Sequence, residues 1–289
     1  MYFAGLVIAV LAGFTIIVLG AGRLFTARRP SDAPDNPGNH GLAYEDVTFE
    51  SRYNAQLRGW WIPASSPGGT VVLSHGHNGS MERDLGFAAA LNRANYNVLM
   101  FNYRAHGSSD GNVCTYGVFE KEDLLGAVDY LAASRGIERV GVVGFSSGAG
   151  IALIAAALTH RISALVLDGV FGRFMTLIQA WLRARDLPRP MAYILAQIVL
   201  FGASLVTNTR IYQVSPLLWA RHVANSPTLF IHAENDRLVS LDQVKMLASD
   251  LPATSQIWVA SGCNHRDGFK NAPHDYVREV TNWLDQHLR

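Results

Sequence analysis

Three side chains far apart in the chain could together turn a hydroxyl into a nucleophile. Ser146 lies in Gly144-Phe145-Ser146-Ser147-Gly148, Asp236 in FIHAENDRLVS (230–240) and His265 in VASGCNHRDGF (259–269). A serine hydroxyl is a weak nucleophile near neutral pH. It needs a base to take its proton, and the base needs an acid to orient it. Serine, aspartate and histidine supply these three roles, and the chemistry they suit is acyl transfer through a covalent intermediate.

The glycine frame decides between the two adjacent serines. A G-x-S-x-G turn runs sharply from strand to helix, so the residues two positions either side of the nucleophile must lack bulk. Shifting the frame by one would put Phe145 and Ala149 in those places. Ser146 is therefore the expected nucleophile. Ser147 is expected to offer only its backbone N–H, at the positive end of the next helix, to a developing oxyanion. A second N–H is expected from His77, in the turn His75-Gly76-His77-Asn78-Gly79 after an earlier strand. Asp236 and His265 follow the last two strands, and His265 is the histidine just beyond the final one. Asp168, at the end of the strand after the nucleophile, and Glu234 are the alternative acids.

Competing chemistries fit less well. A dinucleotide turn needs a third glycine where Leu153 stands, and a phosphate-binding loop needs a lysine that is absent. His75-x-His77 could hold zinc but lacks the further histidine and carboxylate of hydrolytic metal motifs. No metal and no cofactor is expected.

The elements that must position these residues are readable from periodicity. Short apolar runs at 70–76, 96–103, 139–145, 162–169, 227–233 and 255–261 read as buried strands, after two opening strands at 44–50 and 56–63. Helical periods lie between them at 85–94, 120–133 and 148–158. A last amphipathic helix turns Tyr276, Val280, Trp283 and Leu284 inward. Strand-helix alternation implies right-handed crossovers and a mostly parallel sheet covered on both faces. Residues 171–222 break this rhythm with about three helical segments and no strand, which reads as a helical lid inserted over the strand ends.

These pieces together resemble the α/β-hydrolase superfamily over residues 43–289. The matching stretches are HGHNG (75–79), FNYRAHGSSDG (101–111), GFSSG (144–148), HAENDRLV (232–239) and GCNHR (262–266). The chain looks most like membrane-anchored serine hydrolases of the dienelactone hydrolase and prolyl-oligopeptidase-like branch. The resemblance implies an α/β fold with a helical cap and hydrolysis of an ester, thioester or amide. It gives Arg104 and Ser108 structural roles. Relatives often carry a second glycine where this chain has Ala149. Acyl transfer to another acceptor and peptidase activity share the same expected site. A membrane-tethered binding module without catalysis is the alternative from a different class.

The N-terminus has another character. Residues 2–22 carry no charge, and at ~1.5 Å per residue they match the ~30 Å of a bilayer core. The expectation is a retained single-pass anchor (1–25), with a cleaved signal peptide as its rival. Arg23, Arg28 and Arg29 follow the apolar run, which by the positive-inside rule places the rest of the chain on the cytoplasmic side. Residues 26–42, rich in Pro, Asp, Asn and Gly, read as a flexible linker to a domain spanning 43–289. The apolar stretch 191–206 is rejected as a second crossing, because it would divide Ser146 from Asp236. A net charge of +1 without any basic cluster excludes a nucleic-acid footprint. Two distant cysteines make no disulfide framework. Beyond the bilayer, the expected partner is a small-molecule or lipid acyl substrate. Oligomeric state and substrate are not set by the sequence.

Overall fold

A computed structural model describes residues 2–77 and 79–288; Asn78 of the HGHNG motif lies outside them. Eight strands form one sheet: β1 (Glu45–Glu50), β2 (Gln56–Ile62), β3 (Gly69–Ser74), β4 (Tyr96–Phe101), β5 (Val140–Phe145), β6 (Ile162–Asp168), β7 (Thr228–Ala233) and β8 (Gln256–Ala260). Their order is β1-β2-β4-β3-β5-β6-β7-β8. β2 is antiparallel to β1 and β4, and all later pairs are parallel.

Strands β4 to β7 are buried along their whole length. That burial explains why they read as unbroken apolar runs: helices cover both faces. One face packs against α3 (Glu120–Arg135) and α4 (Ser147–Ala156), with Leu124, Val128 and Leu131 fully buried. The other packs against α2 (Leu85–Arg93) and the terminal helix α10 (Pro273–His287), through Tyr276, Val280, Trp283 and Leu284. Between β6 and β7 the chain forms α5 (Phe174–Arg183), α6 (Arg189–Thr207) and the short α7 (Pro216–Ala220); α8 (Leu241–Ser249) and α9 (Gly268–Asn271) follow β7 and β8.

The chain leaves β3 for β4 on one side and returns to β5 on the other. The sheet's topological switch point therefore lies between β3 and β5, where open α/β sheets form their crevice. The turns after β3, β5, β6, β7 and β8 are neighbours along one edge.

The first helix, α1 (Tyr2–Thr26), packs its last two turns against α6. Val18, Gly22 and Thr26, one per turn, are buried there. The backbones touch: a Cβ on Gly22 would sit 2.2 Å from the Gly202 carbonyl carbon, and one on Gly202 would sit 2.0 Å from the Val18 oxygen. Among the described residues, α1 from Gly5 and α6 are the two helices long and apolar enough to cross a membrane. Only the first is free to do so. α6 runs between Ser146 and Asp236, which meet at one site, and a third of its most apolar window is buried in the domain.

The segment after α1 departs from the flexible linker expected from its composition. Residues 25–32 are laid onto the domain as a strap. The Arg28 guanidinium donates to the carbonyls of Gly107, Ser109 and Gly111 at 2.5–2.7 Å. The Arg29 N–H donates to Ala105 O and its carbonyl accepts from the Gly107 N–H. Asp32 and Ser80 exchange two hydrogen bonds. A Pro37–His40 turn capped by Asn36 follows. Two of the three arginines credited to membrane orientation are thus engaged by the domain itself.

Candidate active site

The turn after β5 is strained in the way the glycine frame requires. Ser146 has φ 52° and ψ −112°, a conformation that costs a non-glycine residue of order 1–3 kcal/mol. Its N–H is held by Asp168 O at 2.7 Å, and its carbonyl accepts from Ala149 and Gly150. Glycines make room for the turn. A Cβ on Gly148 would lie 2.1 Å from Ser74 O and 2.4 Å from His75 O, and one on Gly144 would lie 2.6 Å from the Ala149 Cα. Gly150 has a different neighbour: a side chain there would strike Phe171 and Pro216.

Three side chains from three turns form one hydrogen-bonded line. His265 Nε2 is 2.9 Å from Ser146 Oγ, and His265 Nδ1 is 2.7 Å from Asp236 Oδ2. The Asp236 side chain is fully shielded, while His265 keeps partial access to solvent. The other carboxylate oxygen, Oδ1, accepts from the backbone N–H groups of Leu238 (2.7 Å) and Val239 (3.0 Å). Burial alone would raise the Asp236 pKa. The hydrogen bond and charge of His265, with these two N–H donors, outweigh it and hold the group below the ordinary carboxylate range.

The alternative acids are engaged elsewhere. Asp168 is buried and accepts from the Tyr276 hydroxyl at 2.9 Å, and burial raises its pKa. Glu234 is exposed and holds the Ser261–Gly262 turn.

Two further residues support the line. Gly169 has φ +67°, and a Cβ there would sit 2.7 Å from Cε1 of His265, so only a glycine leaves the imidazole its place. Arg266, next to the histidine, pairs with buried Asp84 at 2.7 Å, lies over the Phe145 ring and reaches under Gly76. The sequence signal for Arg266 is its place in GCNHR (262–266), next to His265. For Gly169 it is a glycine directly after a buried strand.

Ser147 begins α4, so its N–H belongs to the first turn, where no helical carbonyl is available. The other expected donor, His77, follows β3 across the switch point. Its side chain is anchored from behind. His77 Nε2 accepts from Arg29 Nε at 3.2 Å and lies 2.8 Å from the Tyr116 hydroxyl. Burial, then the neighbouring His106 and Arg29, keep this imidazole neutral. His77, His106 and Cys114 bring possible ligand atoms within 4.8 Å of one another. As a cation site the cluster fits poorly. His77 Nε2 is already an acceptor for Arg29, the His106 nitrogens face the carbonyls of Arg104 and His77, and a permanent guanidinium charge stands alongside.

The motif after β4 is structural. Arg104 forms a buried ion pair with Asp123 and also donates to Ser51 Oγ and Tyr53 O. The serine that stitches this turn is Ser109, which donates to Asn102 O and accepts from the Arg58 N–H. Ser108 is exposed, so the structural role assigned to it passes to its neighbour. Both cysteines are buried thiols.

His75 yields a pH prediction. Burial lowers its pKa to about 3. Its Nδ1–H donates to Gly76 O while Nε2 accepts from the Tyr103 N–H, so both nitrogens are committed in the neutral form. The unfolded chain binds a proton near pH 6.5, whereas the folded chain binds it only near 3. Stability is therefore full above the unfolded value and falls with pH below it, by up to ~1.4 kcal/mol per unit. The measurement is Tm against pH from 7 to 4 for wild type and His75→Gln; the variant should show the shallower slope.

Known proteins share this fold. The family model for the α/β hydrolase fold matches residues 69–189. The Pyrococcus furiosus esterase Pf2001 superposes with a TM-score of 0.76 at 24% identity, covering 91% of this chain and 99% of the esterase. The Pyrococcus horikoshii acylaminoacyl peptidase gives a TM-score of 0.64 at 17% identity over 91% of this chain and 47% of the peptidase. In sequence, the uncharacterized protein YqkD of Bacillus subtilis is 27% identical over 240 residues, 81% of this chain and 77% of that protein. The chain has the α/β hydrolase fold, matched by the family model over residues 69–189 and by solved structures over most of its length.

Proposed function

We propose that the protein is a membrane-anchored serine hydrolase that cleaves an acyl ester, thioester or amide through Ser146, His265 and Asp236. The observation that carries this reading is the continuous line Ser146 Oγ–His265 Nε2–His265 Nδ1–Asp236 Oδ2, with both links under 3 Å. His265 takes the hydroxyl proton at Nε2 as Ser146 Oγ attacks the acyl carbonyl. The tetrahedral oxyanion forms in front of the His77 and Ser147 N–H groups, which stabilise charge present only at that stage. His265 returns the proton to the departing alcohol, thiol or amine. Water, deprotonated by the same imidazole, then releases the acid from Ser146. α1 is the anchor: of its described residues before Val18, all but Gly13 are exposed, and none is charged.

The test is covalent. A fluorophosphonate should label the purified full-length protein once, and peptide mapping should find the adduct on Ser146. An adduct on another residue, or no adduct, would remove the basis for the mechanism.

A further inference from the structure

The outer side of α6 lies free, and its composition is that of a helix resting in a lipid surface. Ile194, Phe201 and Leu205 are 56%, 56% and 52% exposed. Their spacing of seven and then four places them on one stripe along the helix. Met191 and Tyr193, also exposed, flank that stripe at its start. Ala192, Ala196 and Ala203 bury the opposite side. Single exposed apolar residues are ordinary, but a contiguous stripe on a folded domain marks a contact surface.

Three observations choose the occupant. First, the stripe is continuous with α1. Gly202 packs on Val18, while Phe14, a turn earlier on α1, and Ile17, the residue before Val18, remain exposed. A bilayer that takes α1 reaches α6 at the same seam. Second, the charge pattern is interfacial. No charged residue occurs between Arg189 and Arg210, and residues 171–222 hold six arginines against one aspartate. Arginines at both ends of an apolar helix can extend to headgroups while the stripe sinks below them. Trp181, Tyr193 and Tyr212, all exposed, are the ring types that settle at a membrane surface. Third, a second copy docked symmetrically on this face would oppose one arginine-rich lid to another, whereas anionic headgroups complement it.

We propose that α6 lies in the bilayer interface beside α1, seated on anionic lipid. This has a consequence for the substrate. A cleft of about 620 Å³ opens between the lid and the turn after β7, bordered by Arg183, Arg189, Tyr193, Asp236 and Leu238. With α6 seated, the mouth of this cleft is at headgroup level, and the substrate class is a membrane amphiphile whose ester is drawn from the leaflet. The proposal rests on the hydrolase reading and on α1 as an anchor.

The experiment uses the full-length protein in phosphatidylcholine vesicles containing phosphatidylglycerol. Nitroxides are placed by Ile194→Cys, Phe201→Cys and Leu205→Cys, and by Met246→Cys on α8 as an exposed control. The native thiols are buried. Collisions with oxygen should exceed those with a water-soluble nickel chelate at the three α6 positions, and the order should reverse at position 246. Chelate access at position 201 equal to the control, or spin–spin coupling between copies there, overturns the seating. In the second arm, Ile194→Asp, Phe201→Asp and Leu205→Asp are combined. Hydrolysis of a long-chain ester presented in vesicles should fall at least about tenfold, with less than about a twofold change on a soluble short-chain aryl ester. Equal loss on both esters overturns delivery from the leaflet. Wild-type protein inert to both esters and to fluorophosphonate would overturn the hydrolase reading instead, and the nitroxide measurement would still decide the seating.

Discussion

Asp236→Asn is expected to lower kcat by about 10³–10⁴-fold with little change in KM. The reason is the direction in which the new amide must point. Asp236 Oδ1 accepts from two backbone N–H groups, those of Leu238 and Val239. An asparagine keeps its single oxygen there, because turning the amide round would set its NH₂ against both donors. The NH₂ then occupies the place of Oδ2 and faces His265 Nδ1. Two donors cannot share that contact, so the imidazole gives up the Nδ1 proton and carries it on Nε2. Nε2–H now points at Ser146 Oγ and cannot accept its proton. The loss corresponds to roughly 4–5.5 kcal/mol of transition-state stabilisation. Asp168→Asn should behave differently. Its partner is the Tyr276 hydroxyl, which can rotate to suit an amide, so kcat should change by less than about tenfold. Steady-state kinetics of the two variants decide the acid: a larger fall for Asp168→Asn would reverse the assignment.

The sheet was legible in the sequence because its physics is local. Strands buried on both faces must be apolar throughout; the six apolar runs became β3 to β8 and the two opening runs β1 and β2, within about two residues at each end. The elbow was legible because backbone crowding at Gly144 and Gly148 admits no side chain, so the glycine pair selects Ser146 over Ser147. The acid and base could be placed by chain order after strands. What was not legible depends on partners distant in sequence that carry no distinctive side chain. Arg28 binds three turn carbonyls about 80 residues away, and carbonyls are present everywhere. Pro, Asp and Asn in that segment suggest looseness, yet Asp32 and Asn36 spend their side chains on turns and on Ser80. The Arg266–Asp84 pair joins positions 182 apart in sequence. The Ser108–Ser109 exchange is a matter of which of two neighbouring hydroxyls faces inward, and composition cannot decide that.

The strap gives the second large expected effect. A chain lacking residues 2–32 should lose about 100-fold in kcat/KM on a soluble ester, mostly through kcat, whereas one lacking residues 2–17 should stay within about threefold of the full chain. The longer deletion removes Arg29, which holds the His77 imidazole, and Phe25, which stacks on Tyr116 at 4.6 Å. It also removes Asp32, which pins Ser80 on the far side of the same turn. The His77 N–H is then carried by a loop that has lost these braces and keeps its contacts to Tyr116 and His106, and one misplaced oxyanion donor costs about 10²–10³ in kcat. The shorter deletion leaves Val18, Gly22 and Thr26 on α6, and the strap with them. A general loss of fold would lower the amount of active protein without choosing between kcat and KM, so active-site titration with fluorophosphonate normalises each preparation. In the full chain, Arg29→Ala should reproduce about tenfold of the kcat effect and Arg29→Lys should restore part of it, since an ammonium can still donate to His77 Nε2. If both variants match wild type in kcat, the strap is a fastening alone. If kcat falls as expected, the residues that join α1 to the domain also set the geometry in which the oxyanion forms. Residues 25–32 would then belong to the active site as much as to the connection between α1 and the domain.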